Sequence, residues 1–189
     1  MSQKYIIAID GPAASGKSTT ARLLARILHY IYIDTGAMYR ACALCSLQEH
    51  IELSDRKSLL KMLENIKIDI IYSETGNRIF LNGAEVSEEI RSSEVTRLSS
   101  EIATIDIVRE KMVILQRKIG EKGGIIMDGR DIGTVVFPDA NFKFFMVADI
   151  EARARRRWSE MREKGQNPDF DEILQEMEWR DRNDSQRDI

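Results

Sequence analysis

The chain has 189 residues, 43% of them hydrophobic and 31% charged, with a formal net charge of −3. That length suits one globular domain with room for insertions, and the mild acidity excludes a global pull on nucleic acid, so any anion must be held by local Arg and Lys clusters. No long apolar segment follows Met1-Ser2-Gln3-Lys4, so neither a secretory leader nor a membrane span is expected, and the expected compartment is the cytoplasm.

The apolar run Tyr5-Ile6-Ile7-Ala8-Ile9-Asp10 predicts a first strand over Lys4 to Ile9. Gly11-Pro12-Ala13-Ala14-Ser15-Gly16-Lys17-Ser18 then fits the phosphate-cradling pattern G-x-x-x-x-G-K-[ST], and Thr19 opens a helix-periodic stretch. Glycines let the backbone approach phosphate closely, successive amides point into one concavity, and the following helix adds the positive end of its dipole. Lys17 can bridge terminal phosphates, and the Ser18 hydroxyl can ligate magnesium. Residues 11 to 19 therefore predict a nucleoside triphosphate site.

The helix from Ser15 to His29 carries Ala21, Leu24, Ala25 and Leu28 on one face. A short strand, Tyr30 to Ile33, ends at Asp34-Thr35-Gly36, and a helix runs from Ala37 to about Gln48. Cys42 and Cys45 fall inside that helix and read as buried thiols, since zinc would need further ligands that the sequence does not place nearby. After a helix near Ser54 to Asn65, the pattern changes. Ile66 to Ile70 alternates apolar and polar, a turn follows at Glu74-Thr75-Gly76-Asn77, and Arg78-Ile79-Phe80-Leu81 leads to the hairpin signal Asn82-Gly83 and Ala84-Glu85-Val86. This predicts a small antiparallel meander inserted in an α/β chain, well placed to hold a second substrate. A helix near Ser93 to Ala103 flanks it.

Gly123-Gly124 closes a long helix, Ile125-Ile126-Met127 forms a strand ending at Asp128-Gly129-Arg130-Asp131, and Asn141 to Ala148 is a further strand. Strands separated by helices imply a parallel sheet, and ligands of such sheets collect at the carboxyl ends, where Asp10, Asp34 and Asp128 all lie. Basic residues gather there too: Arg40, Arg130, then Arg153, Arg155, Arg156 and Arg157 on one helix, then Arg180, Arg182 and Arg187. The crowded helix reads as a mobile flap over phosphates, and its lack of aromatic interleaving argues against a nucleic-acid partner. The guanine signature N-K-x-D is absent, and a motor would need a longer chain, which leaves a kinase of a small metabolite.

Several stretches resemble the bacterial cytidylate kinase family. They are Ile9 to Thr19, Ile33-Asp34-Thr35-Gly36-Ala37-Met38-Tyr39-Arg40, Glu89 to Val95, the long string from Asp128 to Asp139, and Arg180-Asp181-Arg182-Asn183-Asp184. The likeness runs nearly end to end. It implies transfer of the γ-phosphoryl group of ATP to CMP or dCMP with magnesium, by a P-loop α/β fold of three layers around a central parallel sheet. The core would be about 1–36, 104–148 and 166–189, the monophosphate-binding insert about 37–103, and the helical lid about 149–165. The resemblance assigns acceptor phosphate to Arg40 and Arg130 with Thr35 nearby, and cytosine to Ser100, Arg109, Asp131 and Arg187. It assigns the sugar hydroxyls to Asp184, and phosphates to Arg180 and Arg157. Asp131 can accept from the exocyclic amine that uracil lacks, and Arg109 can donate to the ring carbonyl. Asp34 and Asp128 suit either magnesium-bound waters or capping of the turns that follow them.

Lys17, Arg40, Arg130 and Arg157 would stabilise the transferring group, and no general base is required because the acceptor phosphate is already a nucleophile. A monomer acting on small molecules is expected, with no membrane partner. Two departures from the family stand out. Ala14 replaces a common glycine, tolerable unless that residue needs positive φ. Members also continue past the position of Ile189 with another strand and a helix, so a sheet ending at Ile189 is expected to lack that edge strand unless the chain runs on. Alternative readings are another P-loop small-molecule kinase of UMP/CMP or guanylate type, and a non-catalytic nucleotide-binding protein.

Overall fold

The computed structural model describes residues 4–71, 77–163 and 165–185. The chain opens with β1 (Ile6–Asp10), α1 (Lys17–Leu28), β2 (Ile31–Asp34) and α2 (Thr35–Gln48). Next come α3 (Arg56–Asn65), the meander β3 (Ile68–Ile71), β4 (Arg78–Leu81) and β5 (Ala84–Glu85), then α4 (Ser93–Ile102) and α5 (Asp106–Gly120). β6 (Ile125–Gly129), a π-helical turn at Ile132–Val136, β7 (Phe142–Phe145), α6 (Ile150–Glu163) and α7 (Phe170–Ser185) follow.

The four long-range strands form an all-parallel sheet in the order β2-β6-β1-β7. Its register sets Asp10 beside Gly129 and Asp34 beside Asp128, so three strands end in one row. Side chains alternate across the sheet, as a period of two requires. Ile7, Ile9, Tyr32 and Ile126 pack against Ala21 and Ala25 of α1 on one face. Ala8, Ile33, Ile125 and Met127 join α2, α3 and α5 in the larger core on the other. That is a three-layer α/β fold. The meander is a separate antiparallel sheet in the order β3-β4-β5, turning at Asn82 (φ 51) and Gly83 (φ 88), the two positive φ values that a type I′ hairpin demands. The turn expected around Glu74-Thr75-Gly76 lies outside the described residues.

Several element ends differ from expectation for local reasons. α1 starts at Lys17 rather than Ser15 because Gly16 (φ 97) still belongs to the loop, and it stops at Leu28 because His29 (φ 54) is left-handed. Leu28, in that last turn, is exposed instead of joining Ala21 and Ala25. β7 spans only Phe142–Phe145, not Asn141 to Ala148, because it is bonded to β1 and that strand runs out at Asp10. Cys42 and Cys45 are free and buried, and burial pushes their thiols up to about 12 and about 11.

α6 and α7 form a cluster of their own. Ala154, Ile173 and Met177 are its buried residues, with Trp158, Phe170 and Leu174 packed around them. Arg153 ties this pair to the rest. It is 4% exposed, bonds Asp181 through both terminal nitrogens at 3.2 and 2.5 Å, and reaches Ala13 O at 3.2 Å and Ala148 O at 3.0 Å. The arginine-rich helix is thus not uniformly a flap surface. Arg153 is turned inward by an ion pair, Arg155 stands exposed beside Glu151, and Arg156 with Arg157 faces the cleft.

Candidate active site

A cleft of about 1020 Å³ opens over the carboxyl ends of β2 and β6. Its floor is the loop between β1 and α1. Gly11 (φ 142) has Met146 O only 2.2 Å from where a Cβ would stand, so no other residue fits there. Gly16 caps α1 without a side chain, and the first turn of the helix carries no acidic residue. The first amides of α1 are therefore left to an anion. Ala14 adopts φ 55, the left-handed conformation in which the expected tolerance for alanine runs out, so the loop holds a strained residue.

Lys17 is 6% exposed and donates to Pro12 O at 2.6 Å, which curls its side chain back over the loop. Burial, and then the Arg130 guanidinium, pull its ammonium down to about 8. Ser18 donates to Asp128 Oδ2 at 2.8 Å, and the buried Tyr32 hydroxyl donates to Asp128 Oδ1 at 2.9 Å. Burial, with Asp34 adding like charge, pushes the Asp128 carboxyl up to about 6. Asp34 caps α2 by accepting from Ala37 N at 3.0 Å and also pairs with Arg40 at 3.0 Å. Both sequence readings of Asp34 therefore stay available, since capping leaves it at the strand tip.

On the facing wall, Arg130 pairs with Asp184 at 2.5 Å, and Arg180 reaches Ser100 Oγ at 3.0 Å and Thr96 O at 3.1 Å. Arg40 Nε is buried with no hydrogen-bond partner among the described residues. A buried orphan donor is costly, and a phosphate oxygen would satisfy it. Thr35 lines the cleft, but its hydroxyl donates to Asp128 O at 2.7 Å. Arg157 lies at the cleft rim, 3.8 Å from Glu160.

Most residues expected at the site are gathered here: Ala13 to Thr19, Thr35, Arg40, Ser100, Arg130, Asp131, Arg157, Arg180 and Asp184 all line the cleft. Gly11 and Pro12 shape the loop from beneath. Arg109 does not line the cleft; it lies behind Asp131, 7% exposed, and its guanidinium donates to that carboxylate. Arg187 falls outside the described residues. Two contributors escaped sequence reading. Tyr32 gave no signal beyond a polar tip in an apolar strand. Asp10 was visible only as one of three aspartates at strand ends.

A family model described as cytidylate kinase matches residues 7–189. The chain belongs to the cytidylate kinase family. A curated cytidylate kinase of Bacillus subtilis (strain 168) is 46% identical over 189 residues, covering 100% of this chain and 84% of the relative. That of Enterococcus faecalis (strain ATCC 700802 / V583) is 49% identical over 186 residues, covering 98% and 82%. Among solved structures, the crystal structure of TT1252 from Thermus thermophilus aligns over 98% of this chain and 86% of its own, at 16% identity and a TM-score of 0.45. That likeness is loose and adds nothing to the family. Within the cytidylate kinase family, the P-loop and the arginine-bearing wall of this chain face each other across one row of strand tips.

Proposed function

We infer that this chain transfers the γ-phosphoryl group of ATP to CMP or dCMP, giving ADP and CDP or dCDP. What carries the reading is one cleft with two anion pockets, in a chain that matches the cytidylate kinase family over residues 7–189. The loop from Gly11 to Thr19 would hold the triphosphate of ATP. Lys17 would leave Pro12 O to meet the terminal phosphates, whose negative charge favours its ammonium form. Arg40, with its orphan Nε, and Arg130 would hold the acceptor phosphate in line with the donor, and Arg157 would come over the transferring group from α6.

The chemistry needs alignment and charge neutralisation rather than a base. Asp131 would read cytosine, supported from behind by Arg109, while Ser100 and Arg180 form the adjoining wall and Asp184 would take the sugar hydroxyls. Arg187 is part of the same assignment. Magnesium fits this donor set: the Ser18 hydroxyl and the Asp128 carboxylate meet at 2.8 Å, with Asp34 alongside, all hard oxygen ligands. When bound, magnesium neutralises charge across the donor phosphates.

In this reading the core is about 1–36, 104–148 and 166–189, the insert about 37–103 and the lid about 149–165. No helix among the described residues is long and apolar enough to cross a membrane. A cytoplasmic monomer with small-molecule partners completes the assignment, and light scattering on a sizing column checks the monomer.

The decisive assay follows ADP release across CMP, dCMP, UMP, GMP and shikimate. The highest kcat/KM is expected on CMP and dCMP. Preference for UMP, or no turnover of CMP, overturns the assignment, and ATP binding without any turnover would instead mark a non-catalytic nucleotide binder.

A further inference from the structure

Asp10 is the last residue of β1 and the one immediately before the phosphate loop. Asp10 is 6% exposed, and its carboxylate reaches the turn that follows β6. One oxygen accepts from Ile132 N at 2.8 Å, the other from Gly133 N at 2.8 Å. Those two amides open the π-helical turn Ile132–Val136, which begins directly after Asp131. The far end of the same turn is held as well: Arg117 of α5 donates to Val136 O at 2.9 Å and to Val135 O at 2.7 Å. Asp131 O accepts from Val135 N at 2.8 Å inside the turn, so the backbone of Asp131 is carried by it. A π-helical turn is a rare element, and where it occurs it frequently marks a functional site. Here a carboxylate pins it at one end and a guanidinium at the other.

We propose that Asp10 is a positioning residue for acceptor recognition: by gripping Ile132 and Gly133 it fixes Asp131 at a set distance from the phosphate loop that follows Asp10 itself. Donor loop and acceptor-reading side chain are thereby built on one rigid link, β1 tip to turn, rather than on two independently mobile loops. The geometry is specific to a carboxylate. An asparagine offers one acceptor and presents an amide N–H to the second backbone donor, so one buried N–H loses its partner and the turn is pushed off.

The inference rests on Asp131 being the residue that distinguishes CMP from UMP, and the experiment tests the two separately. The quantity read is the ratio of kcat/KM on CMP to that on UMP, which is insensitive to how much of a preparation is folded. Asp10→Asn is expected to lower that ratio about tenfold, through a raised KM for CMP with KM for ATP changed less than about twofold. Arg117→Gln, at an exposed position of α5, is expected to lower it in the same direction by about twofold to fivefold, and it stands in should Asp10→Asn fail to fold. Asp131→Asn is the control. If it erodes the ratio while Asp10→Asn and Arg117→Gln leave it unchanged, the positioning role is wrong and the assignment of Asp131 stands. If Asp131→Asn leaves the ratio unchanged, the assignment falls and the positioning role with it.

Discussion

Lys17 sits in a site built for its charge yet unfavourable to it until an anion arrives. Burial and Arg130 together pull its ammonium down to about 8, well below the usual 10.5. Between those two values the unfolded chain holds a proton that the folded chain has lost, so this group makes the ligand-free protein more stable as pH rises from 8 to 10.5. Lys17→Met should flatten that rise in a series of thermal melts, while leaving the melt at pH 7 equal or higher. Asp128 acts in the opposite sense. Its carboxyl is pushed up to about 6 from 3.8, so its share of stability is lost as pH rises through that window. In catalysis, Lys17→Ala should lower kcat by about 100- to 1000-fold with the circular dichroism spectrum preserved, the scale of removing one preorganised charge stabiliser; near-normal turnover would contradict its role. Asp131→Asn should blur the choice between CMP and UMP because an acceptor-only group becomes one that also donates. Ala14→Gly should stabilise the protein by about 1 kcal/mol in urea unfolding, since it relieves the left-handed strain at φ 55.

Among the elements, α6 is the one whose sequence conceals its division of labour. Four arginines between positions 153 and 157 look alike on paper, but only Arg153 is buried, clamped to Asp181 and to Ala13 O of the phosphate loop. Arg153→Met should therefore cost about 3 kcal/mol of stability and weaken ATP binding as well, because it releases both α7 and the loop. Arg155→Met, exposed beside Glu151, should change stability by less than about 0.5 kcal/mol. Paired urea titrations distinguish the two. This contrast marks where sequence reading stops. The phosphate loop, the parallel strands and the Asn82-Gly83 hairpin were legible because each is a local pattern: a glycine spacing, a period of two, a dipeptide with two positive φ values. The inward turn of Arg153, the retreat of Arg109 behind Asp131, the grip of Asp10 on Ile132 and the bond from Tyr32 to Asp128 each join residues at least 22 positions apart. No local pattern encodes them. Ala14 is intermediate: its position was flagged, but the sign of its φ depends on how the loop closes against α6.

Across the whole molecule, the two arginines expected to hold the acceptor phosphate already have anionic company: Arg40 rests on Asp34 and Arg130 on Asp184. An arriving monophosphate would find the Arg40 Nε open, but to take either guanidinium whole it would have to displace a resident carboxylate, Asp34 or Asp184, and in the proposed reading Asp184 would then turn toward the sugar. The resting protein behaves as an ion exchanger loaded with its own acids. Added salt should weaken the residents and the newcomer alike, so KM for CMP should climb far less steeply with potassium chloride than the number of arginines in the wall implies.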